Sequence, residues 1–304
     1  MRRTLVLSAL AALIVAVPVM TTAESGGLRY SITVTKFENK AGWYGRWDIG
    51  DAWGTVLTDM LNQSGRFIVL GESDMRGAAM DEQDFAASGR TAGGKKAPVT
   101  GQMTPAQLLV KGAITHVQDN TAGGGGGVRI KGFRVGGSGG KGEVNATIYV
   151  VDSTTGQVLA STSVVGVSKK KGLSVGYSTG GWGADMAGFK NDNVGKAVME
   201  ACAEAVEFLT AQLPSISWTG SVVMVKDGKV YVNRGSREGV STGQTFVVGD
   251  VEVLRDPDTG EVLDESMTEI ATLQVDQVKE KLSICSVTSG DGSAVGKGMA
   301  IHAR

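Results

Sequence analysis

From Leu28 to Phe37 apolar and polar residues alternate, LRYSITVTKF, and this period of two predicts a strand. An aromatic-rich loop, Trp43 to Asp48, comes next. The period then lengthens to that of a helix, with Ile49, Trp53, Val56, Leu57, Met60 and Leu61 on one face behind a capping Asp48 or Asp51. Arg66 to Leu70 is a short apolar run that predicts a buried strand, and Ser73 opens a second helix carrying Met75, Ala79 and Phe85. After a Gly- and Lys-bearing loop over residues 87–103, Thr104-Pro105-Ala106-Gln107 has capping-box spacing with proline at the first helical position, which predicts one brief helix. Strands are predicted over Leu108 to Val117 and Glu143 to Val151, and a third, Leu159 to Val167, returns antiparallel after the turn Asp152 to Gly156. The stripe Val194, Val198, Cys202, Val206, Leu209, Leu213 predicts an amphipathic helix over about 194–213.

Past Pro214 the pattern changes to short strands: Ser221 to Lys226, Lys229 to Val232, Thr245 to Leu254, Ile270 to Val278, Leu282 to Val287 and Met299 to Ala303. Asp227-Gly228 and Asp256-Pro257-Asp258-Thr259-Gly260 mark turns, and no helix-length periodic run intervenes. The expectation is an α+β chain: an α/β domain over 24–213, then a small all-β barrel of SH3-like size over 217–304.

The first 23 residues stand apart. Arg2 and Arg3 precede an apolar run from Leu5 to Val19 that ends in Thr21-Thr22-Ala23, the layout of a signal peptide cleaved after Ala23. The run is too short to favour a spanning helix. An exported protein of the periplasm, or of the outer membrane, is therefore expected. No cysteine lies near the predicted cleavage site, so no acyl anchor is expected there.

Composition narrows the function by exclusion. Hydrophobic residues make up 41% of the 304 and charged residues 20%, with a formal net charge of −1, so neither disorder throughout nor general nucleic-acid binding is expected. The outlier is glycine, at 45 residues. Gly136-Gly137-Ser138-Gly139-Gly140-Lys141-Gly142 superficially suggests a phosphate loop, but the first glycine is one residue too close and no Ser or Thr follows Lys141. His116 and His302 are the only histidines, which excludes the usual His-rich metal sites and a paired-histidine mechanism. No GxSxG elbow sits between a strand and a helix. The acids Asp256, Asp258, Glu261, Asp264 and Glu265 read as a solvated hairpin turn rather than a calcium site. Cys202 and Cys285 read as an unpaired set, since Cys202 lies on the apolar stripe of a helix. No catalytic, cofactor-binding or metal-binding set is expected, and the chain does not read as an enzyme.

Two segments carry the remaining information. Thr121 to Gly142 is half glycine, and Val128-Arg129-Ile130-Lys131 alternates apolar with basic up to Gly132, where a bulge changes the phase. Within Ser168 to Asn191, Leu173, Val175 and Tyr177 point one way and Ser174, Gly176 and Ser178 the other, the alternation of a membrane barrel wall. Gly172 to Gly180 has the length of a tilted transmembrane strand. Tyr177, Trp182 and Phe189 would then sit in an aromatic girdle, with Lys169, Lys170 and Lys171 at the rim, where charge is tolerated. The same pattern is compatible with soluble β-hairpins or loops.

Read in order, VTKFENKAG, DAWGTVLTDMLNQSGRFIVLGESDM, TPAQLLVKGAITHVQDN and IYVVDSTTGQVLASTSV resemble the CsgG/HfaB family of curli-type outer-membrane secretion channels over residues 28–213. The resemblance implies a periplasmic α/β domain that oligomerises into a ring, each subunit giving two hairpins to one shared barrel. The inserts 121–142 and 168–191 occupy those two positions. It also implies a loop that narrows the channel, which here falls on Trp43, Tyr44, Arg46 and Trp47, while the barrel-wall alternation and aromatic girdle read above would put Leu173, Val175, Tyr177 and Trp182 toward lipid. The expected partners are copies of the chain and secreted or surface-assembled subunits, without a cofactor. Two features depart from the family: the missing lipidation cysteine, and a C-terminal domain whose VYVNRGSREGVSTGQTFVV and DPDTGEVL resemble that of the flagellar assembly protein FlgT. That second resemblance implies an alternative, a soluble periplasmic scaffold for a surface machine such as a flagellar basal ring.

Overall fold

The computed structural model describes residues 27–120, 141–168 and 187–304. Residues 1–26, which include the segment expected to be a signal peptide, most of both inserts, and with them Leu173, Val175, Tyr177 and Trp182, lie outside the described residues.

The N-terminal part is a mixed sheet covered on one face by helices. Strand β1 (Tyr30–Val34) is flanked in parallel by β3 (Phe67–Val69) and β4 (Leu108–Asn120), and β4 continues antiparallel into β5 (Lys141–Asp152) and β6 (Val158–Val167). A two-residue strand β2 (Glu38–Asn39) pairs beside Ala113 and Ile114 of β4. Helix α1 (Ile49–Ser64) connects β2 to β3, and α4 (Asn193–Gln212) follows β6 after a one-turn α3 (Ala187–Asn191). All six residues read as the face of the first helix are buried. On β5, Val144, Ala146, Ile148 and Val150 are buried while Asn145, Thr147 and Tyr149 face the other way, so α1 and α4 share one side of the sheet.

Close packing of α4 on the sheet depends on small residues. A Cβ on Gly166 of β6 would lie 1.8 Å from the Ala197 carbonyl oxygen, inside the helix backbone. Bare glycine therefore lets β6 and α4 touch backbone to backbone.

Two expectations change. Residues 104–107 form no helix. Instead they run as extended chain against β1: the Ser31 N–H donates to Gln107 Oε1 at 3.0 Å, the Ser31 hydroxyl donates to the Pro105 carbonyl at 2.8 Å, and the Gln107 N–H donates to the Ser31 carbonyl at 2.9 Å. The glutamine that would close a capping box is taken by a strand edge. The second helix, α2 (Ser73–Ala87), forms where expected but buries none of its residues: Met75, Met80 and Phe85 are all exposed.

The C-terminal part is a closed six-stranded antiparallel barrel of β7 (Thr219–Lys226), β8 (Lys229–Val232), β9 (Thr245–Arg255), β10 (Val262–Val278), β11 (Ser283–Gly290) and β12 (Ala300–Ala303), in the order β10-β11-β8-β7-β12-β9. Its interior is filled by Val222, Val232, Phe246, Val248, Leu273 and Ile301. Strand β10 begins eight residues earlier than its apolar alternation suggests, at Val262, so Asp264 and Glu265 belong to a strand. The acidic turn itself is closed by Asp256 Oδ1, which accepts the N–H groups of Asp258 at 2.7 Å and Thr259 at 3.2 Å.

The two parts are joined by specific contacts. The Arg29 N–H donates to the Glu238 carbonyl at 2.9 Å, the Arg237 guanidinium reaches Thr104 Oγ1 at 3.3 Å, and the Tyr30 hydroxyl donates to the Ile216 carbonyl. Burial at this junction pushes the Tyr30 phenol up to about 12.

Candidate functional site at the roots of the inserts

Strands β4 and β5 stay paired to their last described rung, Asn120 with Lys141, so the first insert leaves and re-enters the sheet at one point. The chain departs for the second insert next to it. The Gly142 N–H donates to the Ser168 Oγ at 2.8 Å, and the Ser168 N–H donates to the Gly142 carbonyl at 2.9 Å. The return is close as well, because a Cβ on Gly142 would lie 2.3 Å from the Asn193 carbonyl oxygen at the start of α4. Four chain ends thus meet at one end of the sheet.

Short polar residues organise this corner. Asp192 caps α4, accepting the Val194 N–H at 2.7 Å. Partial burial, reinforced by the charge of Asp192, holds the Asp119 carboxyl above its usual range.

The aromatic loop joins the same corner. Asn39 clamps it at both ends of its side-chain amide: Nδ2 donates to the Trp43 carbonyl at 2.7 Å and Oδ1 accepts the Trp43 N–H at 3.3 Å. The Trp43 and Trp47 rings lie 4.7 Å apart at 50°, and both pack against the core. Gly45 lies close beneath the Trp43 indole: a Cβ there would sit 1.8 Å from the far edge of the ring, so a side chain at this position would displace the indole. Trp47 then meets Phe189 of α3 edge-on. Phe189 is buried and so does not belong to a lipid-facing girdle; the tight turn into α4 folds it inward, with Gly195 against its carbonyl. Tyr44 and Arg46 face solvent, Tyr44 at 93% exposure. The four loop residues named from the sequence therefore divide into two inward anchors and two outward side chains.

Asp48 ends the loop by accepting the Asp51 N–H at 2.9 Å, which begins α1. That bond, more than the Lys36 ammonium 3.3 Å away, holds the Asp48 carboxyl below its ordinary value. Sequence reading had no signal for the Trp47–Phe189 contact, because the two lie far apart in sequence and Phe189 falls in an irregular, glycine-rich stretch.

Among the described residues no cluster of His, Cys, Asp or Glu forms a metal site, and no helix is long and apolar enough to cross a membrane, which leaves strands untested. What converges at this corner is chain. The fold is that of an α/β platform that sends two inserts from one edge, with a β-barrel appended.

Sequence comparison gives that platform its family. The chain matches the family described as curli production assembly/transport component CsgG over residues 19–244, about three quarters of its length, and it belongs to that family. The match spans the whole sheet domain and strands β7 and β8, and it ends just before β9. No curated protein matches the chain in sequence. Similar solved structures include the PelC dodecamer from Paraburkholderia phytofirmans, 13% identical, covering 59% of this chain and 86% of that one at a TM-score of 0.31. The hypothetical protein CT253 from Chlamydia trachomatis is 11% identical, covering 62% and 99% at 0.37. Lipoprotein GNA1162 from Neisseria meningitidis is 16% identical, covering 62% and 99% at 0.26.

Proposed function

We propose that this protein is a non-enzymatic secretion or assembly component at the outer membrane and in the periplasm, working as a homo-oligomeric ring through which surface fibre or adhesin subunits are exported or anchored. One observation carries the reading: both inserts leave the same end of the sheet side by side, held by the mutual bonds of Gly142 and Ser168. In this reading residues 121–142 and 168–191 are the two hairpins each subunit gives to a shared barrel, with Leu173, Val175, Tyr177 and Trp182 toward lipid. Trp43 and Trp47 hold the loop, and Tyr44 and Arg46 narrow the opening. The barrel of residues 217–304 serves as an SH3-like interaction module of the kind found in FlgT. The test is purification of the mature chain in detergent, electron microscopy of its oligomers and conductance in planar bilayers. Rings that conduct, and that lose membrane association when 121–142 is deleted, support the proposal; a monomer without conductance overturns it.

A second reading, a soluble periplasmic scaffold for a surface machine, is favoured by one feature. The closed barrel is completed by strands beyond the family match. Protein that fractionates as soluble and keeps both inserts open to protease would favour this scaffold.

A further inference from the structure

Strands β9 and β10 outrun the barrel. On β9 the partner β12 last pairs at Gly249, and on β10 the partner β11 last pairs at Ala271. The rungs from Asp250–Thr268 to Arg255–Val262 therefore form a two-stranded arm with both edges unpaired. At a rise of ~3.4 Å per residue it projects roughly 20 Å. Residues 250–255 are all exposed. Two-stranded ribbons are marginally stable alone in water, and a free edge invites pairing.

The arm has a chemical character. Opposed residues share a face, which puts Val251 with Met267 and Val253 with Glu265 on one side, and Asp250 with Thr268 and Glu252 with Ser266 on the other. Leu254 and Leu263 are exposed near the tip. Residues 250–269 carry eight acids against the single Arg255, and none of those acids forms an ion pair among the described residues.

The complement lies on the same chain. Phe85 to Met103 carries Arg90, Lys95 and Lys96 with no acid, and none of the three cations is ion-paired among the described residues. Phe85 and Val99 are exposed beside them; α2, which leads into this loop and buries nothing, is itself acidic, with Asp74, Asp81, Glu82 and Asp84 against Arg76, so the basic character is confined to the loop. One surface is acidic and apolar, the other basic and apolar, and each lacks cover.

We propose that the β9–β10 arm of one copy docks on the 88–103 loop of a second copy, acids against cations, with Leu254 and Leu263 against Phe85 and Val99 and the arm directed away from the acids of α2. This rests on the homo-oligomeric reading above and adds a contact whose arm lies beyond the family match. Because two different patches meet, the contact is head-to-tail and suits a ring. It is steered by charge, so it weakens as salt rises.

The test uses the full mature chain in detergent. Reversing charge on the arm (Asp250→Lys, Glu252→Lys, Asp264→Lys) or on the loop (Arg90→Glu, Lys95→Glu, Lys96→Glu) is expected to weaken self-association at least tenfold by sedimentation at low salt. Combining both reversals is expected to restore it. Independently, Leu254→Cys with Val99→Cys is expected to give a disulfide between copies without altering charge, since Cys202 and Cys285 are buried. Wild-type protein that stays monomeric overturns both this contact and the ring. Wild-type oligomers that survive each reversal and give no such crosslink overturn the contact alone, as does an arm that crosslinks only to a different polypeptide.

Discussion

The Trp47 indole lies edge-on to the Phe189 ring, centroids 4.8 Å apart at 68°. This single contact ties the loop before α1 to the point where the chain returns from the second insert. Edge-to-face geometry of this kind contributes about 0.5–1.5 kcal/mol beyond what the buried area of the rings supplies.

Loop anchoring and loop function are therefore separable by mutation. Trp47→Ala should lower stability by about 2 kcal/mol, less than a fully buried tryptophan would cost, measured by urea denaturation. Tyr44→Ala should leave stability within about 0.5 kcal/mol, since its side chain touches little. Under the proposed function Tyr44→Ala should instead alter single-channel conductance. The opposite pattern, a stability loss at Tyr44 and none at Trp47, would falsify the division of the loop.

Gly166→Ala should be poorly tolerated. Its methyl group would meet the Ala197 carbonyl at 1.8 Å, and backbone on both sides leaves no flexible side chain to yield. A loss of about 1–3 kcal/mol is expected from overpacking. Gly156→Ala, at a turn with nothing within 4 Å, serves as the comparison; there the cost comes only from its positive φ of 75°. Thermal unfolding of the two variants distinguishes helix displacement from turn strain.

Acid should weaken the start of α1. The Asp51 N–H, and then Lys36, favour the charged form of Asp48, so its folded value lies below the ordinary 3.8. The stabilisation is complete above about 3.8 and is lost as pH falls through the lower folded value. Asp48→Ala should cost about 1 kcal/mol at pH 7 as a lost cap. Asp48→Asn should keep most of that cap at pH 7, yet show a flatter decline in stability below pH 4, read from denaturation midpoints across pH.

Both thiols should be silent in the native protein. Cys202, on α4, is fully buried with its thiol pushed far up by desolvation, and burial raises Cys285, on β11, to about 12. Neither offers a thiolate near neutral pH. Maleimide labelling should be negligible under native conditions and reach two per chain in denaturant without reductant; any need for reductant would reveal a bridge.

Local pattern by itself determined the elements whose partners are adjacent in sequence or implied by period. The face of α1, the stripe of α4, the Asp152 turn and the six barrel strands were all legible, because burial on one side of a helix or strand imposes a repeat that composition cannot hide. The segment 104–107 shows the limit. Its capping-box letters are satisfied more fully by Ser31, a residue 76 positions away, so a strand edge won over a local turn. Phe189 shows it again, since only the folding of α3 onto the loop turned an apparent surface aromatic into a buried one. The gathering of four chain ends beside Gly142, and the projection of β9 and β10 beyond the barrel, are likewise decided by which strands stop pairing and where. A repeat in sequence says which side of an element must be covered; the identity of what covers it is set by contacts between distant residues, and those exist only once the chain has folded.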